Sequence, residues 1–274
     1  GGISVSQWLD FNFIQEVMGG NKAVETIIPE AEVVIELGGE DAKITYFKGA
    51  IEQRMNGSCA GGTGAFIDQM ATLLNTDAAG LNEYAKGHKV IYPIASRCGV
   101  FAKTDVQPLI NDGACKEDIA ASIFQAVVNQ TLGGLACGKP VRGNVALLGG
   151  PLHYLSELRK RFMECLKLSD EKVLTPANSQ LFVAIGAALS AEQDKAFSLK
   201  EITERIDGLA TQKDEDVHRL APLFQDEEEY LDFQKRHNRL GIKKANLSNY
   251  KGKVFLGIDA GSTTTKAVLI GEKA

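Results

Sequence analysis

The chain has 274 residues, 44% of them hydrophobic, which is enough for one large core or two small ones. Its net charge of -5 argues against a general nucleic-acid or membrane-surface binder. Neither an apolar run long enough to span a bilayer nor an opening signal peptide is expected, and five scattered cysteines do not suit a secreted disulfide framework, so a reducing cytoplasm fits best.

In chain order, Trp8, Phe11, Ile14, Val17 and Met18 are spaced for one amphipathic helix over residues 8–24, with Gly19-Gly20 as its stop. Residues 32–37 read as a strand ending in Gly38-Gly39, and the strand pattern resumes at 43–47 and at about 50–55, making a β-meander. The meander runs into Asn56-Gly57-Ser58-Cys59-Ala60-Gly61-Gly62-Thr63-Gly64-Ala65-Phe66, echoed downstream by Ser96-Arg97-Cys98-Gly99-Val100-Phe101-Ala102-Lys103. Each stretch places one cysteine in a small-residue turn that opens a helix, where free amide N–H groups and the helix dipole favour thiolate. That is a setting for metal or redox chemistry, although a lone cysteine at a helix start is more often a small hydrophobe.

A long buried helix is predicted over 115–134 from Ile119, Ile123, Phe124, Val127 and Val128. A short buried strand at 144–148 then closes on Gly149-Gly150-Pro151. A helix at 154–166, a strand at 172–174 and a helix at 179–193 complete an α/β domain with a mixed sheet. Residues 194–253 are dense in charge and read as a charged helical linker. They lead to an apolar strand, a polar turn and a returning strand at 267–270.

That last element repeats the first hairpin. Glu36-Leu37-Gly38-Gly39-Glu40-Asp41-Ala42-Lys43 and Asp259-Ala260-Gly261-Ser262-Thr263-Thr264-Thr265-Lys266 share an acid, a glycine two residues on and a lysine seven residues on. Phosphate and magnesium handling wants this pattern: glycine lets backbone N–H groups close on phosphate oxygens, hydroxyls add donors, and a carboxylate holds Mg²⁺ through water. Either copy alone also suits an ordinary glycine hairpin. Two such hairpins with a glycine pair after another strand form the site layout of actin, sugar kinase and Hsp70 type ATPases.

The run from Ile35 to Lys43, the two cysteine stretches and Leu148-Gly149-Gly150 together resemble the activator ATPases of 2-hydroxyacyl-CoA dehydratases, whose related subunits serve benzoyl-CoA reductases. The resemblance covers residues 33–191, and residues 256–270 resemble the opening phosphate loop of the same fold. It implies a ribonuclease-H-like ATPase fold and a homodimer bridged by one [4Fe–4S] cluster. It also implies ATP with Mg²⁺, a reduced ferredoxin or flavodoxin as donor, and a dehydratase or reductase component as electron acceptor. By position, Cys59 and Cys98 are the implied cluster ligands, and four thiolates per cubane then require two chains. Glu36 and Asp41 are the implied catalytic carboxylates beside Gly38 and Gly39, while Gly149 and Gly150 match the adenosine loop. Gly61, Gly62, Thr63 and Gly64 would join the first cluster helix to the nucleotide, and Asp259, Gly261, Ser262, Thr263, Thr264 and Lys266 match a phosphate loop. Cys115, Cys137 and Cys165 match no family ligand and are expected to be structural.

The family usually has aspartate at the position of Glu36 and glutamine-aspartate at Glu40-Asp41. It also begins with the loop that here comes last. The simplest account is a piece of a longer protein with two ATPase units in tandem. Residues 1–31 would be a helical remnant of a first subdomain, 32–193 the cysteine-bearing ATPase subdomain, 194–253 the linker, and 254–274 the first hairpin of the next unit. Three rival readings stay open: a sugar-kinase-like phosphotransferase, a zinc scaffold using Cys59 and Cys98 with His88, and a regulatory relative with an altered partner.

Overall fold

β1 (Val33–Leu37) is apolar except for one acid, and successive side chains leave it on opposite faces. Val33, Ile35 and Leu37 enter the larger core while Val34 enters a second one, so the strand is covered on both sides. The structure is a computed structural model that describes residues 2–56, 61–95, 99–191, 196–209, 221–239, 241, 246–261 and 264–272. β2 (Ala42–Tyr46) and β3 (Glu52–Met55) return antiparallel, and β4 (Val145–Leu148) and β5 (Val173–Leu174) run parallel to β1. The order β3-β2-β1-β4-β5 is a mixed sheet of the ribonuclease-H-like ATPase type.

The larger core is built under α3 (Gly64–Leu73), α4 (Ala78–Ala85), α5 (Gly99–Asn111), α6 (Lys116–Thr131) and α8 (Ser156–Leu166). At its centre, Ile119, Ile123, Phe124, Val127 and Val128 of α6 are almost wholly buried. With the π turn that follows it, the run Lys116–Ala136 is 21 residues long and apolar enough to cross a membrane by length and composition. The expectation that no such run exists is therefore corrected; this segment is apolar because it is the middle of the core, with 67% of its most apolar window buried.

On the other face, α2 (Glu16–Ile27) and α9 (Phe182–Leu189) cover the sheet with Ala23, Val24 and Phe182. The single helix predicted over 8–24 is two: α1 (Gly2–Leu9) ends at Asp10, whose φ is 52°, and α2 begins at Glu16. Gly19 and Gly20 lie inside α2 rather than stopping it. Gly19 is there because α9 crosses at backbone contact, where a Cβ on Gly186 would collide with the Gly19 carbonyl. The helix predicted over 179–193 is also shorter, a single 3₁₀ turn leading into α9. Cys115, Cys137 and Cys165, expected to be structural, are all free and exposed. Cys115 precedes α6, Cys137 takes a left-handed conformation after the π turn, and Cys165 faces Gln125 from α8.

Contacts divide the chain into two compact units, Gly1–Thr203 and Glu204–Ala274, with the boundary inside α10 (Leu199–Leu209). In the second unit, α11 (Glu227–Asn238) is capped by Asp226, whose side chain accepts the Glu229 N–H at 2.8 Å. β6 (Val254–Ala260) and β7 (Thr265–Gly271) form a two-stranded hairpin with both faces exposed.

Candidate nucleotide-binding site

Three glycine-bearing segments meet at the carboxyl ends of the parallel strands β1 and β4, where open α/β sheets bind ligands. The β1–β2 turn closes with the Gly38 N–H donating to the Asp41 carbonyl at 2.7 Å. The first turn of α3 is fastened onto it: Gly64 N–H donates to the Gly38 carbonyl at 2.9 Å and Ala65 N–H to the Gly39 carbonyl at 2.7 Å. From the other side Gly149, with φ 91°, presses its Cα onto Leu37 at the end of β1 and donates its N–H to the Ser179 carbonyl at 3.1 Å. These segments frame a cleft of about 540 Å³ lined by Gly39, Glu40, Gly64, Asp68, Gly150 and Tyr154 among others. Its size is within the range of small-molecule and cofactor sites.

Glu36 and Asp41 are not among the residues that line this cleft. Glu36 points to the α2 face, where the Lys43 ammonium sits 3.1 Å from it and 3.0 Å from Asp41, and also pairs with Glu16 of α2. Lys43 is 2% exposed. Burial lowers its pKa, but Glu36, Glu16 and Asp41 outweigh that and hold the ammonium above the ordinary lysine range. Burial pushes the Glu36 carboxyl up, with Lys43 opposing.

Gly38, Gly39, Gly64, Gly149 and Gly150 are thus brought together. Gly61, Gly62 and Thr63 are buried beneath them on the way into α3, and Gly62, at φ 83°, packs against Gln130 of α6. Cys59 and Cys98 lie outside the described residues, as do Ser262 and Thr263. The helices that follow the two cysteines do meet: the Cα side of Gly99, the first residue of α5, faces Gln69 and Phe66 of α3. Among the described residues no group of three or more His, Cys, Asp or Glu is arranged for a metal, and His88 Nδ1 lies 2.7 Å from the Ala85 carbonyl.

Asp259, Gly261, Thr264 and Lys266 belong to the β6–β7 hairpin of the second unit. Its turn copies the first: Gly261 N–H donates to the Thr264 carbonyl at 3.0 Å, as Gly38 does to Asp41. Asp259 stands directly across from Lys266, as Glu36 stands across from Lys43. Sequence reasoning missed Asp68, Pro151 and Tyr154 of the cleft wall; an aromatic four residues after a glycine pair was the available signal for the last.

Residues 6–191 match the BadF/BadG/BcrA/BcrD ATPase family. The chain belongs to this ATPase family. Its relatives include the 2-hydroxyisocaproyl-CoA dehydratase activator of Clostridioides difficile, 31% identical over 192 residues that cover 69% of this chain and 70% of that one. The activator of lactoyl-CoA dehydratase from Anaerotignum propionicum is 32% identical over 66% of this chain and 71% of its own length. Among solved structures, the Acidaminococcus fermentans (R)-2-hydroxyglutaryl-CoA dehydratase component A aligns with a TM-score of 0.59 at 30% identity, covering 65% of this chain and 68% of that one. The C. difficile activator, solved with bound ADPNP, gives 0.58 at 27% identity over 74% and 72%. This member of the family therefore spans about seven tenths of its relatives' length.

Proposed function

We propose that the chain is an ATP-dependent activator that delivers low-potential electrons to a 2-hydroxyacyl-CoA dehydratase or a related reductase. One observation carries the reading: α3, which follows Cys59, is hydrogen-bonded through its first two N–H groups to the turn that would meet the nucleotide phosphates. A shift of the Gly38–Gly39 turn is thereby passed to α3, and from α3 to the start of α5 that follows Cys98.

ATP fits the glycine-walled cleft, and the relative solved with ADPNP supports its placement in this fold. Glu36 and Asp41 offer the hard oxygen ligands that Mg²⁺ takes, with the Lys43 ammonium beside them. Cys59 and Cys98, with the same pair from a second copy, would hold the [4Fe–4S] cluster, which supplies one-electron chemistry at low potential. Val100 and Phe101, 68% and 64% exposed at the start of α5, give that dimer an apolar contact beside the cysteine. Reduced ferredoxin or flavodoxin would be the donor, in the cytoplasm. The β6–β7 hairpin is read as the phosphate turn of a following ATPase unit.

The test is iron and acid-labile sulfide on protein purified without oxygen, alongside a Cys59→Ser/Cys98→Ser variant. About two irons per chain in a dimer, lost in the variant, are expected from a shared four-iron cluster. A colourless protein that binds ATP but takes up no iron on reconstitution sinks the electron-transfer reading and leaves the phosphotransferase or scaffold alternative.

A further inference from the structure

The cleft has two unlike kinds of lining. One is glycine backbone, from Gly39, Gly64 and Gly150; the other is side chain, apolar from Ile67 of α3, Ala78 of α4, and Tyr154 and Leu155 after the glycine pair, with the acids Glu40 and Asp68 beside them. A phosphate chain suits the first, and a flat apolar ring suits the second.

Tyr154 is the one aromatic side chain among the lining residues, and it stands at the end of α7 (Gly150–Tyr154) with 69% of its surface open. An exposed aromatic is usually loosely held, but this one is braced from behind. The His153 ring meets it edge to face, with centroids 4.7 Å apart and an interplanar angle of 89°. His153 Nδ1 is in turn 2.8 Å from the hydroxyl of Ser179, which is 3% exposed. The backbone is pinned as well: Arg159 donates to the carbonyls of Leu152 and His153, both at 2.6 Å. Leu155 N–H donates to the Pro151 carbonyl at 3.0 Å. A ring fixed before its ligand arrives loses little entropy on binding.

We propose that Tyr154 is the stacking face for the nucleobase, in the cleft it lines together with Ile67 and Ala78, and so a specificity-determining residue of the nucleotide site. The inference rests on the nucleotide reading above and adds to it the residue that holds the base. Stacking engages the face of a base and not its hydrogen-bonding edge, so the contact favours any purine nucleotide over a bare polyphosphate.

The experiment is calorimetric titration of the 274-residue chain, as wild type, Tyr154→Ala and Tyr154→Phe, with ATP, GTP and inorganic tripolyphosphate, each with Mg²⁺. Tyr154→Ala should weaken ATP and GTP about tenfold, as expected for one lost base–aromatic stack, and Tyr154→Phe should stay within about twofold of wild type. Tripolyphosphate should bind all three proteins alike. ATP binding unchanged in Tyr154→Ala overturns the proposal, and so does an equal loss for tripolyphosphate, which would make the residue a support for the phosphate side. A wild type that binds tripolyphosphate and nucleotides equally also overturns it while sparing the phosphate turn. A wild type that binds none of them removes the nucleotide reading itself.

Discussion

Gly149→Ala tests whether the glycine corner is built as described. At φ 91° and ψ 163° Gly149 occupies a region that side chains rarely enter, and an added Cβ would collide with the Leu37 carbonyl oxygen and come within 2.8 Å of its carbon and 3.0 Å of its nitrogen. All three are backbone atoms of β1, which pairs with β4 through Glu36 and Leu148, so neither side can yield without moving a central strand. Backbone strain of about 1–3 kcal/mol adds to overpacking of about 1–3 kcal/mol. We therefore expect a loss of about 2–6 kcal/mol, large against a net stability of about 5–15 kcal/mol. Gly150→Ala is the matched control, because nothing lies within 4 Å of its Cβ position and the residue opens a helix. The assay is urea unfolding followed by far-ultraviolet circular dichroism, comparing midpoints at unchanged slope. ATP affinity is measured on whatever folds. Equal stability of the two variants would refute the close approach of β1 and the Gly149–Gly150 turn.

Two further outcomes follow from the charged groups. Lys43→Met removes the one ammonium among Glu16, Glu36 and Asp41 and should cost about 3–5 kcal/mol at neutral pH, as broken buried pairs do. Because the folded pKa of Lys43 lies above its unfolded value, the lysine's own titration leaves the contribution intact below about 10.5 and removes it only as pH rises through the folded value. Glu36 has a raised folded pKa as well, so acidification neutralises it before pH falls to its ordinary 4.5 and the Lys43→Met deficit should shrink; a deficit that stays constant on acidification contradicts the assignment. Asp118 behaves in the opposite sense. Its carboxylate accepts the N–H groups of Lys89 and Val90 at 2.6 and 3.0 Å, which hold its pKa below 3.8. The stabilisation is thus full above pH 3.8 and lost as pH falls through the lower folded value. Asp118→Asn should flatten that acid limb in pH-dependent melts, and an unchanged limb would place the titrating group elsewhere.

The sheet was readable from the residues because its central strands β1 and β4 are short apolar runs each followed by a glycine pair, and each strand fell within two residues of its expected place. The helices were less so. Gly19-Gly20 carried the ordinary signal of a stop, but the same two residues also suit a helix that must be crossed at backbone distance, and only the partner Gly186 decides between them. α4 went unnoticed although Asp77 caps it by accepting the Gly80 N–H at 2.7 Å, since Ala78-Ala79-Gly80 gives little periodicity to see. In the site, glycines were legible because their conformations are demanded locally. Lys43 was seen only as a repeat marker, since its role depends on Glu16, 27 residues away in sequence. Tyr154 was overlooked for a related reason: its place after the glycine pair was visible, but only the fold brings it into one cleft with Ile67 of α3 and Ala78 of α4.

The two hairpins show how little of a nucleotide site is the turn itself. Both close with the same glycine N–H to carbonyl bond and set an acid across from a lysine, so local sequence is enough to build the turn twice. Around the first copy, α3 donates two N–H groups to the turn carbonyls and Gly149 leans on the strand end, leaving a shaped cleft. Around the second, Phe255, Leu256, Ile258, Val268 and Ile270 remain exposed on a two-stranded ribbon, which alone is marginally stable in water. The turn can present backbone donors to a phosphate in either setting. Among the described residues, it is the first copy that has a wall to fix the rest of a ligand, and there the turn is fastened to a helix that can carry its movement away. On the proposed function, coupling between nucleotide and cysteines would therefore run through the α3 attachment, and a change at Gly64 or Ala65 should uncouple the two sites sooner than a change in the turn's own acid residues.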